Sequence, residues 1–81
     1  MNDTIETPLD EAIRVAGSQT ALAAQISERI ERVVTQQNIS WWVNRCSGKV
    51  PDYAVLAVED ATGVSRHRLR ADVFGAEPKA A

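Results

Sequence analysis

The sequence predicts an all-α fold of four or five helices, and three observations carry that prediction. Apolar residues recur at helical spacing in five separate segments. Gly17, Gly48 and Gly63 each follow such a segment, as residues just past a helix C-terminus do, while Pro8 and Pro51 each open one at a first-turn position where a missing N–H costs nothing. The one stretch with strand character, Arg32-Val33-Val34-Thr35, is too short to insist on.

The first helix is expected over about residues 9–16, with Leu9, Ala12, Ile13 and Ala16 facing inward. Ser18 is placed to N-cap a second, whose inward side chains are Leu22, Ala23, Ile26 and Ile30. The third runs over about 36–46 behind Thr35 as N-cap. Its stripe is Ile39, Trp42, Val43 and Cys46, at i, i+3, i+4 and i+7. The fourth covers about 51–62 and buries Val55, Val58 and Ala61. A short fifth follows Ser65 and uses Leu69, with Val73 and Phe74 as further candidates. Trp42 shares the stripe of Ile39 and belongs to the core. Trp41 points about 100° away and cannot share that burial.

Eighty-one residues suffice for one core and not for two. One domain is expected over residues 9–75, between flexible tails at 1–8 and 76–81. No apolar run approaches the roughly 20 residues that span a bilayer, so no membrane role is expected. The acidic first residues lack the basic-then-apolar order of a signal peptide, and Cys46, the lone cysteine, reads as an inert buried thiol in a reducing cytoplasm. The net charge of −2 and the pI near 5.2 sit far from the basic balance, above roughly pI 9, of many dedicated nucleic-acid binders. Distribution matters more than the total. Within residues 29–49, Arg29, Arg32, Arg45 and Lys49 face Glu31 alone, and Arg66-His67-Arg68-Leu69-Arg70 forms a second basic group.

The outer face of the third helix carries Gln36, Gln37, Ser40, Trp41 and Asn44. Amide side chains at a helix N-terminus suit base-edge reading, because Gln and Asn bond bidentately to adenine N6 and N7. The other interpretation is an ordinary polar outer face. A helix-turn-helix places such residues on the first turns of its second helix, close behind a small residue on the first, and Ala23 fits that small position. The connection is about six residues longer than a tight turn. Either the second helix runs an extra turn or a loop bulges between the two; the spacing of Ile26, Ile30 and Val33 favours the longer helix.

Gly17-Ser18-Gln19-Thr20-Ala21-Leu22-Ala23, Val34-Thr35-Gln36-Gln37-Asn38-Ile39-Ser40 with Trp42, and Val50-Pro51 occur in the order found in a known family. So do Glu59-Asp60-Ala61-Thr62-Gly63-Val64-Ser65-Arg66-His67, then Leu69-Arg70 with Asp72 and Phe74. Over residues 9–75 the chain resembles the YdaS/Cro-like repressors of prophages, a helix-turn-helix group also described as antitoxin-like. Its members often carry the same lengthened link. The chain departs from them at Ile30-Glu31, where many relatives have Thr-Gly, and at Ala71, where they usually have proline. The resemblance implies a lambda-repressor/Cro-like domain that binds a double-stranded DNA operator as a transcriptional repressor.

On that reading Gln36, Gln37, Ser40 and Trp41 reach base edges, while Ser18, Gln19, Thr35, Asn44, Arg45 and Lys49 hold phosphates. Trp41 serves equally well as a subunit anchor, and Ser18 and Gln19 as simple helix-opening residues. His67 has no second ligand nearby, so no metal is expected. Arg70 with Asp72, and Glu59, are expected to be structural. The sequence contains no phosphate-cradling glycine loop, no Cys/His metal spacing and no nucleophile–base–acid set, so neither catalysis nor a cofactor is expected. One short helix reads few base pairs, which calls for a weak homodimer, or a dimer formed on DNA, on an inverted repeat. Residues 29–34 or 68–75 are the candidate contacts. The rival reading is an antitoxin-like or adaptor module that binds a protein partner through Trp41 and Tyr53.

Overall fold

A computed structural model describes residues 6–75. Within them lie α1 (Pro8–Ala16), α2 (Gln19–Ile30), α3 (Gln36–Arg45), α4 (Asp52–Thr62) and two single turns, α5 (Arg66–Leu69) and α6 (Ala71–Phe74). No strand occurs among the described residues. The predicted stripes converge on one core. Leu9, Leu22, Ile26, Ile39, Val55 and Val58 are fully buried, and Trp42 is nearly so. Helix α2 is the hub, packing against α1, α3 and α4. Ala23, on the α2 side of that packing, is buried as a small residue at a close helix approach should be.

The helix starts follow their caps. Thr7 accepts the Asp10 N–H while the Asp10 carboxylate accepts the Thr7 N–H, with Pro8 as first helical residue. Residues 6–8, expected as tail, are therefore tied to the fold, and Glu6 also pairs with Arg14. The rest of both expected tails, 1–5 and 76–81, lies outside the described residues. Pro51 stands one position earlier than expected, as the residue before α4.

The lengthened link is resolved in favour of the longer helix, which ends differently from expectation. Helix α2 continues to Ile30, then Glu31 turns left-handed at φ 53°, ψ 38° and stops it. Val33, counted as a continuation of the stripe, is off the helix and 82% exposed; its neighbour Val34 is the buried one. Ser27 explains why. Its hydroxyl oxygen accepts the Val34 N–H at 2.8 Å, and its proton faces the carbonyls of Ala23 at 2.8 Å and Val34 at 3.1 Å. A side chain on α2 thus replaces the backbone partners that an irregular, buried residue would otherwise lack.

The expected fifth helix is two turns broken at Arg70, whose backbone leaves the helical region at φ −143°, ψ 69°. Arg70 donates to the Val50 carbonyl at 2.9 Å and clamps Asp72 with two 2.9 Å bonds. The break turns Phe74 towards the core and leaves Val73 half exposed. Glu59 accepts the Arg66 N–H at 2.9 Å and its Nε–H at 3.0 Å, joining the end of α4 to the start of α5. These are the structural roles expected of Arg70, Asp72 and Glu59.

Candidate nucleic-acid interface

Successive helices α2 and α3 open in the same way. Ser18 accepts the Ala21 N–H at 3.0 Å. Thr35 accepts the Asn38 N–H at 3.3 Å and donates its own N–H to Asn38 at 2.9 Å, completing a capping box. Those caps satisfy third-position N–H groups and leave the first two of each helix directed outward along the positive end of the helix dipole. Directly behind each cap stands a glutamine. The Gln36 side-chain amide donates to the Gln19 side-chain oxygen Oε1, so the first turns of α2 and α3 lie side by side. Sequence reasoning placed both glutamines at the site without pairing them. The available signal was the repeated cap-then-glutamine order, Ser18-Gln19 and Thr35-Gln36.

From this paired edge the outer face of α3 forms a shallow depression of about 290 Å³, lined by Gln36, Gln37, Ser40, Trp41, Asn44 and Arg45. All four expected base-reading residues are therefore brought together, with two of the expected phosphate holders. No carboxylate lines the depression, and Arg45 supplies its positive charge. The Arg45 guanidinium lies over the Trp41 ring, 5.5 Å from its centroid. Trp41 is 58% exposed, whereas Trp42, its neighbour, is 4% exposed, as the stripe requires. The Gln37 side chain makes no hydrogen bond to any described residue and is exposed, with its donor and acceptor both free. Ser40 accepts from the Asn44 amide at 3.1 Å, one turn along the same face.

The remaining expected residues divide. Ser18 and Thr35 spend side-chain acceptors on caps. Lys49 is not at this depression. It lies 4.0 Å from Asp72, beside Ser47, Gly48 and Arg68. Asp72 is held well below the ordinary aspartate range, at about 2, chiefly by the hydrogen bonds from Arg70. Lys49 thus shares an already neutralised anion. His67 Nδ1 lies 3.1 Å from the Phe74 carbonyl, and the ring meets Phe74 edge-on.

Two adjoining helices, the second capped and presenting its outer face beyond a lengthened link, define a small all-α domain of the helix-turn-helix type. The model of the family described as bacterial toxin YdaS matches residues 9–78, and the chain belongs to that family. It is accordingly a small prophage-type protein of the regulatory and toxin–antitoxin kind. No curated protein and no solved structure matches the chain. Among the described residues, no helix is long and apolar enough to cross a membrane.

Proposed function

We propose that the chain is a sequence-specific, double-stranded-DNA-binding regulator of transcription, acting as a Cro-like repressor. The observation that supports this most is the amide-lined, carboxylate-free face of α3 beginning at the Gln19–Gln36 contact. On this reading Gln37 has an unspent donor and acceptor for adenine N7 and N6, and Gln36 is oriented by Gln19. The Gln19 amide N–H groups and the outward N–H groups of both helix starts meet phosphate oxygens. Arg45 adds the charge-assisted contact, and Trp41 offers an apolar surface to a thymine methyl or a sugar.

The net charge of −2 fits a protein whose affinity rests on a particular sequence more than on the phosphate backbone. Selection of bound duplexes from a random pool, followed by footprinting, tests the proposal. It predicts one enriched inverted repeat, with half-sites about 34 Å apart. A pool that remains random after selection rejects it.

The exposed Trp41 and Tyr53 favour a second reading, an antitoxin-like or adaptor module whose main target is a protein. Salt separates the two. DNA affinity falls steeply with added salt as counterions are released, while an apolar protein contact changes little.

A further inference from the structure

Away from the α3 face, the C-terminal end of α2 and the outer side of α4 build a second surface. Tyr53, Leu56 and Asp60 follow one side of α4 at i, i+3 and i+7, and with Ala57 they face Arg29 and Ile30 across a depression. Its middle is apolar. Leu56 is 50% and Tyr53 45% exposed, and Val33 stands beside Arg32 with little cover. One end carries a cation and the other an ion pair whose carboxylate is the more exposed partner. At the Tyr53 end the Arg32 guanidinium lies 4.1 Å from the ring centroid. At the other end Asp60 accepts from Arg29 at 2.6 Å, yet its side chain is still 72% exposed and has acceptor capacity to spare.

An apolar centre flanked by a cation at one end and an exposed, half-paired carboxylate at the other complements itself under a two-fold rotation. Helix α4 laid antiparallel on a copy of itself, with Leu56 near the axis, sets Arg32 and Tyr53 of each copy against Asp60 of the other. Tyr53 and Asp60 are two turns apart, about 10 Å along the helix, so both charge contacts close in one arrangement. We propose that this surface is the self-association face of the protein and that a second copy of this chain is its occupant. Mixed charge makes it a poor match for nucleic acid, since Asp60 lies within it. A handful of half-exposed side chains falls well short of the roughly 800 Å² per partner of a standard stable interface, so the pairing is reversible and weak. The α3 face stays free in that pairing. The proposal goes beyond the DNA-binding reading and stands or falls without DNA.

Sedimentation equilibrium of the full chain, in the absence of DNA and from about 10 µM to about 1 mM, tests it. The expected result is a monomer–dimer equilibrium that Leu56→Glu weakens at least about tenfold. Arg32→Asp and Asp60→Arg each weaken it alone, and mixing those two variants restores association to within about threefold of wild type. Thermal melts of each variant confirm that it is folded. A chain that is monomeric up to the highest concentration overturns the proposal. So does association indifferent to Leu56→Glu, or a mixture no better than its components.

Discussion

Removing one hydroxyl, in Ser27→Ala, should loosen the link that sets the position of α3. The Ser27 oxygen is the partner of the Val34 N–H at 2.8 Å, and Val34 is only 6% exposed. Alanine leaves that donor buried without an acceptor, which costs about 1–3 kcal/mol. The Ala23 carbonyl suffers less, because α-helical geometry already supplies it with a backbone N–H. Alanine also favours the helix over serine by about 0.5 kcal/mol, so the net loss is about 0.5–2.5 kcal/mol. At about 4–8 °C per kcal/mol for a domain of this size, the melting temperature should fall by about 2–20 °C. Thermal unfolding followed by circular dichroism measures it, with Val33→Thr as an exposed control expected to stay within about 0.5 kcal/mol of wild type. Because Thr35, the N-cap of α3, directly follows Val34, duplex affinity at low temperature should drop as well. A Ser27→Ala protein that melts within about 2 °C of wild type would refute the hydroxyl as the clamp of the link.

The two tryptophans should behave oppositely: Trp42→Ala destabilises by about 3–5 kcal/mol, while Trp41→Ala stays within about 0.5 kcal/mol in the same melts. Glu31→Gly should stabilise by about 0.5–1 kcal/mol in a denaturant titration, since it relieves a left-handed non-glycine residue and removes a carboxylate from the negative end of α2. Acid should release the C-terminal turns. Asp72 and Glu59 are both held below their ordinary values, Asp72 chiefly by the Arg70 hydrogen bonds and Glu59 chiefly by the Arg66 backbone N–H. Such contributions are fully present above the unfolded carboxylate range. That of Asp72 fades as pH falls from about 4 to about 2, so amide protection in α5 and α6 should decline across that window while α2 stays protected.

The sequence revealed the parts of this fold that repeat locally. Helix starts at Pro8, Ser18 and Thr35, the glycine stops and the stripes of α1 to α4 are short-range patterns. So is the divergence of Trp41 from Trp42. Whatever depended on contacts across the chain was hidden. Val33 continued a helical spacing, but the Ser27 hydroxyl holds Val34 inward and leaves Val33 in water. The break at Arg70 depends on a carbonyl twenty residues earlier, at Val50. The membership of the candidate site followed from helix-face geometry, so Gln36, Gln37, Ser40, Trp41, Asn44 and Arg45 came together as the spacing implied. Lys49 did not join them, because the chain turns at Ser47 and Gly48 and carries it towards Asp72. The Gln19–Gln36 contact spans the link: the repeated cap-then-glutamine order marks both residues, and only the packing of α2 on α3 pairs them.

The reading role of α3 is tested most directly by measuring base preference with and without the Gln37 amide. Affinities of the wild type and of Gln37→Ala are compared for a selected operator and for every single-base variant of one half-site, at one salt concentration. The wild type should discriminate by about 1–3 kcal/mol at one or two positions that Gln37→Ala no longer distinguishes, with the preference elsewhere unchanged. An identical preference profile for Gln37→Ala, and again for Gln36→Ala, would contradict a base-reading α3 face.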